Sequence, residues 1–275
     1  MAGRGQGPDF VEALARGLDI IACFDHDASQ LTLAEVASRT ELARPTARRL
    51  LLTLEELGMV RSRDGMFALT PRVLSLGMAY IGSLRLWDVA EPHLRTLVDA
   101  TGESSSMAQL DGSDIVYVAR VAVPKLISLR VSIGTRFPAL QTSQGKVLLA
   151  ALEPSEVAAV LAEPTRSGLP VPPLRDLDDV ETELRAVRAR GWAMADEELA
   201  PGIRSIAVPV RDGSGTVRAA MNVTVHAGET TVETLQEHHL PLLLRAAGEI
   251  SADWSHLEAR PLAEVTGRRT GGSAS

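Results

Sequence analysis

Apolar positions along residues 10–57 recur every three or four residues and are broken by short polar stretches. This is the pattern of amphipathic helices joined by turns. Val11, Leu14, Leu18, Ile21 and Ala22 mark a first helix within residues 10–24, and the polar run DHDASQ ends it. In LTLAEVASRT, Thr32 stands three residues before Glu35, the spacing of a capping box. A second helix therefore starts there, with Leu33, Val36 and Ala37 facing inward. Pro45 suits the first turn of a third helix, because its missing N–H has no helical partner there. Ala47, Leu50, Leu51, Leu54 and Leu57 follow at helical spacing, and Gly58 closes the helix. MVRSRDGMFAL then reads as two short strands about Asp64-Gly65, a dipeptide that accepts the positive φ angles of a tight hairpin. Helix, turn, helix, hairpin is the order of a winged helix-turn-helix.

Residues 73–100 read as a helical linker, with Leu74, Leu76, Met78, Ile81, Leu84, Leu86 and Val89 along it and Pro92 opening a second segment. From Ser104 the pattern changes. SSMAQLDGSDIVYVARV reads as a strand pair about Asp111-Gly112, and LISLRVSI as a further strand. TSQGKVLLAAL starts a helix, and EPSEVAAVLA and DLDDVETELRAVRARG are two more, the last closed by Gly191. RSIAVPVRDGSGTVRAAMNVTVHA is a hairpin over RDGSG, and TTVETLQEHHLPLLLRAAGEISADW a long terminal helix. Strands and helices alternating with hairpins predict an α+β domain on a mostly antiparallel sheet. The expected organisation is a winged helix over 10–72, the linker over 73–100, the α+β domain over 101–256 and a small, polar, disordered tail over 257–275.

Charge changes this picture in one place. The 275 residues carry a formal net charge of −7, yet residues 39–63 hold six arginines against three glutamates. Exposed charges act mainly within a Debye length of about 8–10 Å, so a local basic patch can meet phosphates on an acidic protein. Composition is otherwise that of an ordinary globular chain, 45% hydrophobic and 23% charged. The single cysteine, Cys23, excludes an internal disulfide and reads as a structural thiol in a reducing, cytoplasmic setting. The start MAGRGQGPDF has no apolar core for a signal peptide, and no uncharged apolar run is long enough to span a bilayer.

The basic patch supplies the candidate chemistry. Arg44, Thr46, Arg48, Arg49 and Thr53 lie on the third helix away from its leucines, and Arg61 and Arg63 lie on the wing. Arginine pairs bidentately with guanine, and threonine touches phosphate or a thymine methyl. A solvated basic face is the plainer reading of an isolated helix. The capped helix before it, the hairpin after it, and the placement of Glu55 and Glu56 at the far end favour DNA. No nucleophile elbow, P-loop or HExxH occurs; GRGQG follows no strand, and the six histidines lack metal-ligand spacing. Asp196, Glu197 and Glu198 read as a solvated loop rather than a metal site. The sequence therefore calls for no catalytic residue, metal or cofactor. The alternatives are a small-molecule-binding enzyme or a protein–protein adaptor carrying a winged helix.

LTLAEVASRTELARPTARRLLLTLEELGMV resembles the winged-helix domain of the IclR family of bacterial transcription regulators. FPALQTSQGKVLLAAL and EELAPGIRSIAVPVRDGSGTVRAAMNVTVHA resemble that family's effector domain, over about residues 10–255 in all. GIRSIAVPV and AAMNVTVHA are most similar to the branch that senses protocatechuate, p-hydroxybenzoate or β-ketoadipate. The resemblance implies a GAF-like α/β effector-binding domain, a double-stranded operator as partner, a small organic acid as effector, and a homodimer or tetramer with no membrane role. It also implies effector contacts at Ser143, Gln144, Gly145, Asp196, Ser205, Asn222 and Thr224. Members that bind glyoxylate or pyruvate have a cysteine where Ser205 stands and an aspartate where Ala195 stands, which implies a larger ligand here. Asn222 and Thr224, two apart on a strand, share one face. Arg136 and Arg204 are weaker candidates for a carboxylate.

Overall fold

A computed structural model describes residues 7–25, 28–77, 86–124, 131–170, 172–173 and 175–258. Met78, Ile81 and Leu84 of the expected linker, residues 126–130 of the expected strand LISLRVSI, and the tail from 259 lie outside the described residues. The chain divides into two compact units, residues 1–84 and 85–275.

The first unit contains α1 (Glu12–Ala22), β1 (Leu31–Thr32), α2 (Leu33–Arg39), α3 (Arg44–Glu56), β2 (Val60–Arg63) and β3 (Met66–Leu69). Ile20, Val36, Ala47, Leu51, Leu54 and Val60 form its core. The capping box closes as its spacing predicts. Thr32 Oγ1 accepts from Glu35 N at 3.2 Å, and Glu35 Oε2 accepts from Thr32 N at 2.7 Å. The Thr32 N–H, then its hydroxyl, hold the Glu35 carboxyl below its ordinary value. Asp64 and Gly65 both take positive φ, 53° and 77°, in the hairpin turn. The wing has a third strand absent from the sequence reading: β1 pairs with β3, Leu31 opposite Phe67. Two residues are too few to show alternation, and the pairing is non-local.

The second unit is a six-stranded antiparallel sheet in the order β6-β5-β4-β9-β8-β7. Its strands are β4 (Ser104–Asp111), β5 (Asp114–Val121), β6 (Arg136–Pro138), β7 (Ala193–Asp196), β8 (Ile203–Arg211) and β9 (Val217–His226). On one face lie α5 (Ser143–Ala150), α6 (Pro154–Ala162) and α7 (Leu177–Arg190), packed through Leu149, Val157 and Leu184 onto Ala108, Ile115, Ala207 and Ala220. The helices α4 (Leu86–Thr101) and α8 (Leu240–Glu258) pack on each other and on the sheet's other side.

Three expectations change. Residues 86–100, read as linker, pack within the second unit as α4, and this helix runs through Pro92. Residues 131–133 of the expected strand are not extended pairs; the strand beside β5 is the short β6 instead. The terminal helix is interrupted by a π-helical turn, Leu235–His239, just before Pro241, which has no N–H to donate to the preceding turn.

Candidate functional site

In the first unit α3 is anchored by Ala47, Leu51 and Leu54. That register leaves Arg44, Arg48 and Arg49 exposed at its N-terminal half, with Arg61 and Arg63 exposed on β2. Arg44, Arg48, Arg49 and Arg61 have no ion-pair partner among the described residues. Arg63 lies 3.5 Å from Asp64, but both side chains are about nine-tenths exposed, so this pair holds neither in place. Glu55 ties wing to helix, accepting from Ser62 N at 2.9 Å and Ser62 Oγ at 2.6 Å. The seven predicted contacts do not form one face. Thr46, Arg49 and Thr53 border a groove between α1 and α3 that Leu14, Leu18 and Leu57 also line. Thr53 spends its hydroxyl on the Arg49 carbonyl at 3.0 Å.

In the second unit a cavity opens on the α5 side of the sheet. Ser106 on β4 faces Arg120 on one neighbour and Asn222 on the other; Ser104 faces Thr224, which faces Ser205. These two rungs put Arg120, Asn222, Thr224 and Ser205 on one wall, closed by Tyr117, Val131, Phe137, Leu199, Ile203 and Thr142. Arg120 Nη1 donates to Ser106 Oγ at 2.8 Å. Among the described residues its buried Nε has no hydrogen-bond partner, and neither does the buried Asn222 Oδ1. Asn222 Nδ2 donates to Thr224 Oγ1 at 3.0 Å. Burial lowers the Arg120 pKa while the Tyr117 oxygen opposes this; a guanidinium remains charged in either case. Burial pushes Tyr117 up to about 12, against Arg120 and a hydrogen bond with Asn222, so the phenol is neutral. Its ring meets Phe137 edge-on, 5.8 Å between centroids.

The residues implied by resemblance divide sharply. Ser205, Asn222 and Thr224 line the cavity. Ser143 sits behind it, 2.8 Å from Ser205 Oγ. Gln144 is fully buried and donates to the carbonyls of Ser106 and Ala220, both at 3.0 Å, so its amide ties α5 to the sheet. Gly145 is a packing glycine: a Cβ there would stand 2.0 Å from the Ala139 carbonyl oxygen. Asp196 is outside the cavity wall, held by Arg204 at 2.6 and 3.1 Å. Arg136 is likewise taken, by Asp111 at 2.6 Å and Asp114 at 3.3 Å.

Residues 13–64 match the IclR helix-turn-helix domain, and residues 78–252 match the bacterial transcriptional regulator IclR C-terminal domain. The chain belongs to the IclR family of bacterial transcriptional regulators. It is 41% identical over 244 residues to the Pca regulon regulatory protein of Pseudomonas putida, covering 88% of this chain and 84% of that one. It is 34% identical to the p-hydroxybenzoate hydroxylase transcriptional activator of Acinetobacter baylyi, over 88% of this chain and 91% of the relative. Its fold matches an IclR homologue from Microbacterium hydrocarbonoxydans crystallised with 4-hydroxybenzoate, at TM-score 0.76 and 27% identity, covering 89% and 99% of the two chains. This IclR-family chain is thus a transcriptional regulator and not an enzyme. No helix among its described residues is long and apolar enough to cross a membrane.

Sequence reasoning missed Arg120 and Tyr117. Strict alternation from Tyr117 sends residue 120 to the opposite face. A bulge intervenes: Ala108 pairs with Tyr117, but Met107 pairs with Ala119. One extra residue, Val118, returns Arg120 to the face of Tyr117. The only sequence signal is an arginine in an otherwise apolar strand, IVYVAR.

Proposed function

We propose that this regulator is cytoplasmic, binds operator DNA through α3 and the wing, and responds to an aromatic acid held in the sheet cavity. The observation that carries the effector reading is Arg120. Its guanidinium is partly desolvated, lines the cavity, and has a serine hydroxyl as its hydrogen-bond partner among the described residues. A buried cation of this kind calls for an anion, and a carboxylate suits its planar fork. Around it stand the Tyr117 and Phe137 rings and neutral donors and acceptors on Asn222, Thr224 and Ser205. An aromatic ring with hydroxyl substituents matches those walls. The kinship with Pca and p-hydroxybenzoate regulators, and the 4-hydroxybenzoate complex of a structural neighbour, support the same class.

On the DNA side, Arg44 and Arg48 read the major groove, Arg49 and Thr46 flank it, and Arg61 and Arg63 grip the backbone. Phe10, Val11, Leu14 and Leu18 with Leu52 and Leu57 form an exposed apolar surface along α1 and α3. A second copy of this chain fits that surface, giving a dimer whose two recognition helices match a palindromic operator. The effector shifts operator affinity only as far as it binds one state better than the other. A gel shift on the upstream DNA of the neighbouring genes, titrated with 4-hydroxybenzoate and protocatechuate, tests this. Wild type should respond to an aromatic acid. Asn222→Leu should keep DNA binding and lose the response; a normal titration in that variant removes Asn222 from the site.

A further inference from the structure

Behind the cavity, three elements converge on one buried ammonium. Lys146, on α5, has a 3% exposed side chain. Its Nζ donates to Glu183 Oε1 on α7 at 2.7 Å, to both Glu198 oxygens at 2.6 and 2.7 Å, and to the Met194 carbonyl on β7 at 3.4 Å. Arg175 donates to the other Glu183 oxygen at 2.6 Å. Burial pushes the Glu183 pKa up, but Lys146 and Arg175 together hold it below its ordinary value. Two cations and two carboxylates balance, which keeps each charge tolerable out of water.

Glu183 alone neutralises Lys146 and joins α5 to α7. Glu198 adds something different, because it belongs to the loop 197–202 between β7 and β8. Its neighbours Leu199 and Ile203 face the cavity, as do Gln141 and Thr142 at the start of α5. Of the loop's other described hydrogen bonds, three stay at its own residues and its junction with β8: Gly202 N to Glu197 Oε2 at 2.8 Å, Glu197 N to Ile203 O at 2.9 Å, and Ile203 N to Ala200 O at 3.2 Å. One leaves it, at its β8 end, where Ala227 N donates to Gly202 O at 2.8 Å, so Glu198 makes the described side-chain tie from the loop to α5. On the outer side, Glu198, Arg175 and Gln141 border an apolar basin walled by Pro138, Leu140 and Leu161. Gln141 lines both basin and cavity.

We propose that the Lys146–Glu198 pair is a latch that holds loop 197–202 against α5 as the door of the effector cavity, with the apolar basin as the side of entry. Lys146 is a positioning residue: it touches no effector, and it sets how long an effector stays. The inference rests on the sheet cavity being the effector site. Opening a latched loop acts chiefly on release.

Glu198→Ala and Glu183→Ala each remove one carboxylate from the same ammonium, but only the first frees the loop. In the full-length chain, hydrogen exchange at amides 197–203 should rise about tenfold in Glu198→Ala and stay within about twofold of wild type in Glu183→Ala. Stopped-flow release of 4-hydroxybenzoate or protocatechuate should quicken about tenfold in Glu198→Ala alone, with DNA binding in the absence of either acid unchanged. Unaltered loop exchange in Glu198→Ala overturns the latch. An equal rise in both variants also overturns it, reducing Lys146 to a staple of the fold. Should neither acid bind wild type, the aromatic reading fails, and loop exchange alone decides the latch.

Discussion

The arginines of α3 and the arginine of β5 are the same chemical group used in opposite surroundings. Arg48 and Arg49 stand in solvent with no ion-pair partner among the described residues. Arg120 is partly sunk into the sheet beside Tyr117 and Ser106. The exposed group costs nothing to keep unpaired and is available to a large polyanion. The half-buried one is desolvated before any ligand arrives, so an incoming carboxylate meets a cation already stripped of much of its water. Most other described arginines of the second unit are partnered, as with Arg136, Arg175, Arg188, Arg204 and Arg218. An arginine's function here is told by what it lacks, and position in the fold decides that.

The sharpest way to break this comparison is Arg120→Met, which keeps the length of the side chain and removes its charge. Calorimetric affinity for the aromatic acid should fall by about 2–4 kcal/mol, while operator binding without effector stays as in wild type. Undiminished affinity would mean that the cavity's cation is not the anchor. Next in size is Gly145→Ala. Its new methyl has nowhere to go against the Ala139 carbonyl, and overpacking of this kind costs on the order of 1–3 kcal/mol or more. Denaturant unfolding of the second unit reports it. Full stability with weakened effector binding would restore Gly145 to the site and undo its assignment to packing.

On the DNA side, Arg48→Ala should weaken operator binding by about 1–3 kcal/mol if it reads a base. If it touches only phosphate, the loss is similar on all sequences and the slope of affinity against salt falls by about one charge. Arg49→Ala, beside the α1–α3 groove, is the companion measurement; no change in either variant removes this docking.

The smallest effect uses a partnered arginine as reference. Ser214, then Arg218, hold the Asp212 carboxyl far below its ordinary 3.8. The folded state thus binds fewer protons at this site than the unfolded one. Its contribution to stability is complete above about pH 4 and is lost as pH falls through the depressed value. Asp212→Asn should therefore be less stable than wild type at neutral pH, with the gap closing in strong acid. A gap independent of pH would show that the carboxylate's charge is not what stabilises the hairpin turn.

Much of the first unit was legible in the sequence. Thr32 with Glu35, Pro45, Gly58 and Asp64-Gly65 are local signals, each acting within a few residues of itself. The helical period then sets which side chains face out. The effector domain was legible as a class, since its hairpins and helices announce an antiparallel α+β layer. Its cavity was legible only in part. Asn222 and Thr224 share a face because a strand alternates. Gln144 and Asp196 came with the family resemblance, but folding sets their partners: for Gln144 the carbonyls of Ser106 and Ala220, far along the chain, and for Asp196 the arginine directly opposite on the neighbouring strand, Arg204. The short strands β1 and β6 escaped notice for the same reason.

By itself the sequence determined the order of the elements, the outward turn of the α3 arginines and the kind of sheet that follows, because helix caps, turns and periodicity are written in adjacent residues. The tertiary structure decided which strands became neighbours, which arginines found carboxylates, and that Arg120 faces the cavity. That last choice turns on a single bulge at Val118, where one inserted residue reverses the face of everything beyond it.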